Sequence, residues 1–331
     1  MRAFEYATPQ GDRQAIGLLG QTWDDAAVFA GGTELLALMK DNIVAPKRLV
    51  NIKHIPGLDK VTFDSSGMRI GALVRIQDFA DNVDVQRRYP TIAWAADEVA
   101  SPQVRNLATM GGNICQRPRC WWFRNGFGLL AQQNGKSLVL AGDNRYHAIL
   151  GNDGPAYFVS PSTIAPALIA HGAKVRIMGP NGAREVELAK FFVIPMSEDQ
   201  REHDLKPNEL VAEILVPPAP AGMKSAQYAV RQKAEFDWPL AAATAALTMS
   251  GNTVKAARIV LGSVAPIPWI SEEAAQSLVG KSVTEETADA AGKAAVSKAK
   301  GLGKNEYKIQ LTRVAVKRAI LKAAGMWRGE A

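Results

Sequence analysis

Two cysteines in 331 residues, Cys115 and Cys120, are too few for a disulfide framework. They also fall short of the four thiolates that a self-contained iron–sulfur cluster normally takes. The four histidines (His54, His147, His171, His203) are far apart in the chain and lack metal-ligand spacing, so no metal site is expected. Long apolar runs are missing: the longest, WPLAAATAALTM at 238–249, is well short of the roughly 20 residues that span a bilayer, so no membrane insertion is expected. The opening MRAFEYATPQGD has no apolar core and no small-residue cleavage site. A cytoplasmic location is expected, or a periplasmic one if a signal-bearing partner carries the chain across. Motifs of nucleotide and hydrolytic enzymes are absent as well. No G-x-G-x-x-G follows a strand, and GKS at 135–137 and 280–282 lacks the earlier glycine of a phosphate loop, since Leu130 and Ala275 stand there. Neither G-x-S-x-G nor H-E-x-x-H occurs. Such a chain is better equipped to hold a reactive cofactor than to supply nucleophiles.

What is present describes a globular protein, with 47% apolar and 21% charged residues and a length that suits two or three domains. The net charge of +7 is concentrated at the end: residues 293–331 hold ten Lys or Arg against two Glu, leaving the rest close to neutral. These positives surround a helical segment without aromatic interleaving, which favours a solvated face or an acidic partner over nucleic acid.

Two glycine pairs stand out. VFAGGTELL at 28–36 leaves an apolar run, passes Gly31 and Gly32, and enters apolar positions at helical spacing (Leu35, Leu36, Leu38, Met39). That junction is either a tight turn with Thr33 as helix cap or a place where unpaired amides meet a phosphate. SPQVRNLATMGGNI at 101–114 carries the second pair, Gly111–Gly112, between Thr109 and Asn113. Two such corners suit a diphosphate gripped from both sides by main-chain amides.

The fold class expected is α+β. Residues 1–55 form a first subdomain, with helices near 12–21 and 34–41 and short strands at 27–30 and 48–52. Residues 56–220 form a second. It has a hairpin about the Asp64–Gly67 turn, a helix ending at Pro90, another over 92–100, and a helix capped by Ser160 or Ser162 that stops at Gly172. A further hairpin follows. The stretch from Cys115 to Asn144 has no assignment. After the Pro-rich VPPAPAG (216–222), residues 221–331 read as strand, helix and strand, then Ala-rich helices at 271–279, 285–299 and 306–324.

AGGTELL (30–36), PKRLVNIKHIPGL (46–58), MRIGALVRIQDF (68–79) and SPQVRNLATMGGNI, in that order, resemble the FAD-binding medium subunit of the molybdenum hydroxylases (the xanthine dehydrogenase, aldehyde oxidoreductase and carbon monoxide dehydrogenase family). ARIVLGSVAPIPW (257–269) and YKIQLTRVAVKRA (307–319) resemble its last domain. The resemblance implies a vanillyl-alcohol-oxidase-type (PCMH-type) FAD domain of two subdomains followed by a smaller one. It places Phe29, Ala30, Gly31, Gly32, Thr33, Glu34 and Leu35 around the FAD pyrophosphate, and Thr109, Gly111, Gly112 and Asn113 on its other side. Ser162 falls where the family contacts the ribitol or phosphate region, with Thr163 replacing the family's Asp. Arg231, with Lys233 nearby, falls where the family has a cation near the flavin ring. The other reading of Arg231 is a surface ion pair.

QRPRCWWFR (116–124) and NRYHAILG (144–151) resemble the bacterial aldehyde oxidoreductase branch, which carries a [4Fe–4S] cluster in a cysteine-rich insertion between those motifs. The interval here has no cysteine, so no cluster is expected in this chain. By resemblance the chain is an electron-transfer subunit with FAD. A large subunit with the molybdenum cofactor oxidises an aldehyde or N-heterocycle, and a small subunit passes the electrons through [2Fe–2S] clusters. No residue of this chain is expected to act as a catalytic acid or base. The rival readings are a free-standing FAD oxidase and a scaffold without flavin.

Overall fold

The computed structural model describes residues 1–233 and 236–327. Parts of the strand–helix–strand reading (234–235) and the end of the third segment (328–331) lie outside the described residues.

The buried run of the strand Arg48–Asn51 occupies the centre of a three-stranded parallel sheet, between Glu5–Ala7 and Ala27–Phe29. Parallel neighbours require crossovers, and the helices Asp12–Leu18 and Leu35–Lys40 provide them. The next sheet is antiparallel and five-stranded, in the order Val61–Asp64, Gly67–Gly71, Leu210–Val216, Lys174–Gly179, Gly182–Glu187. Both hairpins fall where the turn residues put them. The central strand Leu210–Val216 has no counterpart in the sequence reading. It closes a sheet whose neighbours lie some 35 and 140 residues upstream, and a register shift between Val211 and Glu213 breaks its alternation.

The single helix expected up to Pro90 is two helices, Ile76–Ala80 and Val83–Arg88. Asn82 Oδ1 accepts from the amides of Asp84 and Val85 at 3.0 and 3.1 Å and starts the second one. Pro90 begins the following helix, Pro90–Asp97, because the first helical position needs no N–H.

The last sheet is Met223–Val230, Ala241–Ser250, Thr253–Gly262 and Trp269–Ile270, all antiparallel. Thus the alanine-rich run is a strand, and no helix stands between residues 230 and 241 among the described residues. The reason is burial on both faces: Ala241, Ala243, Ala245 and Leu247 pack in one core with the C-terminal helices, while Ala246 joins the core of the preceding unit. Small side chains let both layers approach. The helices Glu272–Leu278, Glu285–Ala295 and Tyr307–Ala323 cover the first of those faces.

Candidate functional site

At the first glycine pair the strand Ala27–Phe29 turns directly into the helix Leu35–Lys40. Gly32 has φ +73°, and a Cβ there would lie 2.8 Å from the Phe29 ring. A Cβ on Gly31 would lie 1.9 Å from the carbonyl oxygen of Leu107, so only glycine lets this corner touch the Leu107–Ala108 backbone. Thr33 does not cap the helix; no side chain does. Among the described residues, nothing accepts a hydrogen bond from the amides of Gly31, Gly32, Thr33 or Glu34, while Leu36 already bonds back to Gly32 at 3.1 Å. Four consecutive amides are left to a ligand.

The second pair differs, and the expectation that both corners offer amides needs correction. Gly111 N–H donates to Ala72 O at 3.0 Å, Gly112 N–H to Thr109 Oγ1 at 3.1 Å, and Asn113 N–H to Thr109 O at 2.8 Å. These amides are engaged by the protein itself. Gly111 serves contact, since a Cβ there would stand 2.7 Å from the Ala72 methyl. The corner is a wall pressed close, not a second cradle.

Both corners line one cavity of about 470 Å³, together with Ala30, Leu35, Thr109 and Asn113. At Glu34, beside the first corner, stands a charge cluster whose arginines the sequence reading missed; Glu34, Arg117, Arg119 and Arg201 line the cavity. Glu34 Oε1 accepts from Arg124 at 2.6 Å and from the Arg117 amide at 3.3 Å, and Arg119 stands 2.6 Å from Glu34 Oε2 as an ion pair without hydrogen-bond alignment. Arg117 grips Glu202 with two bonds of 2.7 and 3.2 Å. Burial alone would raise the Glu202 carboxyl, but Arg117 and its neighbours hold it below its ordinary value. Arg201 completes the group and has no carboxylate within 4 Å among the described residues; its guanidinium lies 4.1 Å over the Trp23 ring. Burial and the nearby Arg117 push it down to about 10. Within 4 Å, Arg117, Arg119, Arg124 and Arg201 meet only Glu34 and Glu202 among the described residues, and Asp24 acts on Arg201 from farther off, so the cluster keeps a net positive charge. A legible signal existed: three arginines within QRPRCWWFR are too many for a loop with no acid in it.

Other expected site residues stand behind or outside this wall. Phe29 packs beneath Gly32, with Lys53 Nζ 4.0 Å over its ring. Ser162 Oγ donates to Asn113 Oδ1 at 2.6 Å and accepts from the Ala165 amide, which ties its loop to the second glycine corner; neither it nor Thr163 lines the cavity. Arg231 is ion-paired with Glu98 at 3.4 Å, both side chains being largely buried where the alternative reading had a surface pair, and Glu98 precedes the wall residues Val99 and Ala100. Lys233 is exposed and off the wall.

Comparison with known proteins decides what such a cavity belongs to. Residues 2–219 match the family described as the FAD binding domain in molybdopterin dehydrogenase. The chain belongs to this family. Residues 226–323 match the CO dehydrogenase flavoprotein C-terminal domain. The chain is 36% identical to the aldehyde oxidoreductase FAD-binding subunit PaoB of Escherichia coli over 83% of its own length and 85% of that protein. It is 33% identical to the carbon monoxide dehydrogenase medium chain of Hydrogenophaga pseudoflava over 96% of both. A solved carbon monoxide dehydrogenase from that organism superposes with a TM-score of 0.77 at 32% identity, covering 98% of both chains. The expected architecture, an FAD-binding domain followed by a C-terminal flavoprotein domain, is therefore correct, and the chain is an FAD-binding oxidoreductase subunit of the molybdenum hydroxylase family. No described helix is long and apolar enough to cross a membrane.

This FAD-binding subunit has a second cavity, of about 290 Å³, that meets the first at Arg119 and Trp238. Lys308 lies on its wall, 1% exposed, although it belongs to the basic tail read as a solvated face. Its position on the buried stripe of the helix (Lys308, Thr312, Ala315, Ala319) was the available signal. The ammonium donates to the carbonyls of Tyr146, His147 and Ser263 at 3.1, 3.1 and 2.8 Å. Burial pushes Lys308 from 10.5 down to about 7. Between those values the unfolded chain binds a proton that the folded chain does not, so this group makes stability rise with pH. Urea unfolding of the parent and of Lys308→Met is expected to show the parent gaining on the variant from about pH 7 to about pH 10. A constant difference across that window contradicts the assignment.

Proposed function

We propose that the first cavity seats FAD with its diphosphate against the amides of Gly31, Gly32, Thr33 and Glu34. The observation that carries this is the pairing of four unengaged amides with a cluster of net positive charge, which suits a diphosphate diester of two negative charges. Ala30 and Leu35 flank the cradle, and Thr109, Gly111, Gly112 and Asn113 form the facing wall by contact and side-chain bonding. Phe29 supports the turn from below and Ser162 holds Asn113 in place. Thr163, without a carboxylate, has no charged part in the site. Arg231 acts on the flavin only through a field that Glu98 largely cancels, and Lys233 has no part.

Bound FAD supplies chemistry that accepts electrons singly and releases them in pairs. The chain's residues bind and orient it, exclude water, and acidify or deprotonate nothing on the oxidised substrate. The names of the relatives, an aldehyde oxidoreductase FAD-binding subunit and a carbon monoxide dehydrogenase medium chain, support an FAD-carrying medium subunit of a complex, and the family resemblance adds a small [2Fe–2S] subunit and a large molybdenum-cofactor subunit that oxidises an aldehyde or N-heterocycle. Folding in the cytoplasm accords with this assembly, and the three segments 1–55, 56–220 and 221–331 are the units proposed to build it. The test is anaerobic mixing of the purified assembly with aromatic and aliphatic aldehydes and with N-heterocycles. One of these classes is expected to bleach the flavin absorption band. A flavin that none of them reduces, in an assembly containing both partners, rejects the electron-transfer role.

A further inference from the structure

Residues 193–202 leave the core after Phe192 and return to it at His203. The neck of this loop is closed by a bridge between Phe192 and His203 and by the Val193 amide, which donates to Glu202 O at 3.0 Å. Inside the loop, the Met196 amide donates to Gln200 Oε1 at 2.7 Å and Gln200 N–H to Ser197 O at 3.2 Å. The tip is fastened to another part of the chain. Glu198 Oε2 accepts from the Leu129 amide at 2.7 Å, and Oε1 from the Leu130 amide at 2.8 Å. Two successive main-chain amides that face one anion form a nest, and here the chain fills it with its own carboxylate. Gly128 leaves the room, since a Cβ there would stand 2.7 Å from Oε1. Glu198 is exposed on its outer side, whereas Leu129 and Leu130 are each 4% exposed and pack with Leu38, Phe123 and Phe158. The contact therefore ties an exposed loop to a buried anchor.

Each side of that contact carries part of the charge cluster. Arg117, Arg119 and Arg124 lie just before the anchor, and Arg201 and Glu202 lie just after Glu198. Glu202 is fixed directly by its two bonds to Arg117. Arg201 has no such bond, and its guanidinium rests on the Trp23 ring at 4.1 Å. Where it stands is set by the backbone between Glu198 and Glu202. We propose that Glu198 is a positioning residue of the FAD site: by fastening the loop tip to the Leu129 and Leu130 amides it holds Arg201 on the wall of the first cavity. The proposal rests on the FAD reading above. Glu198 itself is not on that wall, so it acts through Arg201. Once the tip is released, the loop keeps its neck but Arg201 leaves the wall for part of the time. The apparent FAD affinity then falls with the fraction of molecules whose loop is closed.

The test is Glu198→Gln, which keeps the size of the side chain but turns an amide N–H₂ toward one of two buried N–H donors. The affinity of the deflavinated protein for FAD is expected to fall about tenfold. In an Arg201→Gln background the same change is expected to lower it by less than about twofold, because the residue it positions is already gone. Equal losses in both backgrounds overturn the proposal, since a carboxylate that only stabilises the fold acts regardless of Arg201. Limited trypsinolysis of the deflavinated protein, read by mass spectrometry, reports the loop itself. Cleavage after Arg201 is expected to be about tenfold faster in Glu198→Gln, while cleavage after the exposed Lys190, outside the loop, keeps its rate. Unchanged cleavage after Arg201, or equal acceleration at both sites, also overturns the proposal. If Arg201→Gln alone binds FAD like the parent, the FAD reading fails instead, and the tryptic pattern still accepts or rejects the fastening by itself.

Discussion

Gly31→Ala is expected to lower the affinity of the deflavinated protein for FAD by about 100-fold or more and to lower its melting temperature. Even one methyl group at this position would sit 1.9 Å from the Leu107 carbonyl oxygen, which is backbone and has no rotamer to escape into. The Leu107–Ala108 segment must move away, and with it Thr109 and the second glycine corner. The cavity then opens and the four free amides turn out of register with a ligand. Overpacking of this kind costs about 1–3 kcal/mol in stability as well. Gly11→Ala is the control, because nothing lies within 4 Å of a Cβ there and its backbone is extended. Flavin titration by fluorescence quenching together with thermal melting reads both effects. Unchanged FAD affinity in Gly31→Ala would mean the two corners need not touch.

Arg201→Gln is expected to move stability and binding in opposite directions. In the ligand-free protein Arg201 is a largely buried cation with no carboxylate within 4 Å, offset only by the Trp23 face and, from farther off, by Glu202 and Asp24, and burial still pushes it down, so removing its charge raises the melting temperature. With FAD present the same change removes a charge-assisted contact to the diphosphate and weakens binding about 10- to 100-fold. Arg201→Lys keeps the charge and falls between. An arginine with a purely structural role gives the opposite pattern, lower stability with and without FAD, and would exclude it from the site.

The first glycine corner was legible because its chemistry is local: a short strand, two glycines and a helix follow one another within a dozen residues. The second was legible as a position and not as a chemistry. Whether the amides of Gly111 and Gly112 are free depends on Ala72 O and Thr109 Oγ1, and a sequence does not reveal that Ala72 lies opposite. In the cluster around Glu34 and Glu202 the three arginines of QRPRCWWFR were visible, but their partners were hidden for the same reason, since Arg117 and Glu202 are 85 residues apart. Local turn chemistry placed both hairpins correctly. It failed where tertiary contact overrides propensity, as in the strand Ala241–Ser250, whose alanines read as helical but are packed between two layers. It failed again at Leu210–Val216, which acquires its place only from partners far upstream.

Competition for the deflavinated protein between FAD and each of its halves tests the central claim most directly. If the amides of Gly31–Glu34 and the net positive arginine cluster hold the diphosphate, ADP displaces FAD and riboflavin does not. Displacement by riboflavin with ADP inert would contradict the account, because the affinity would then reside in the ring and not in the phosphates.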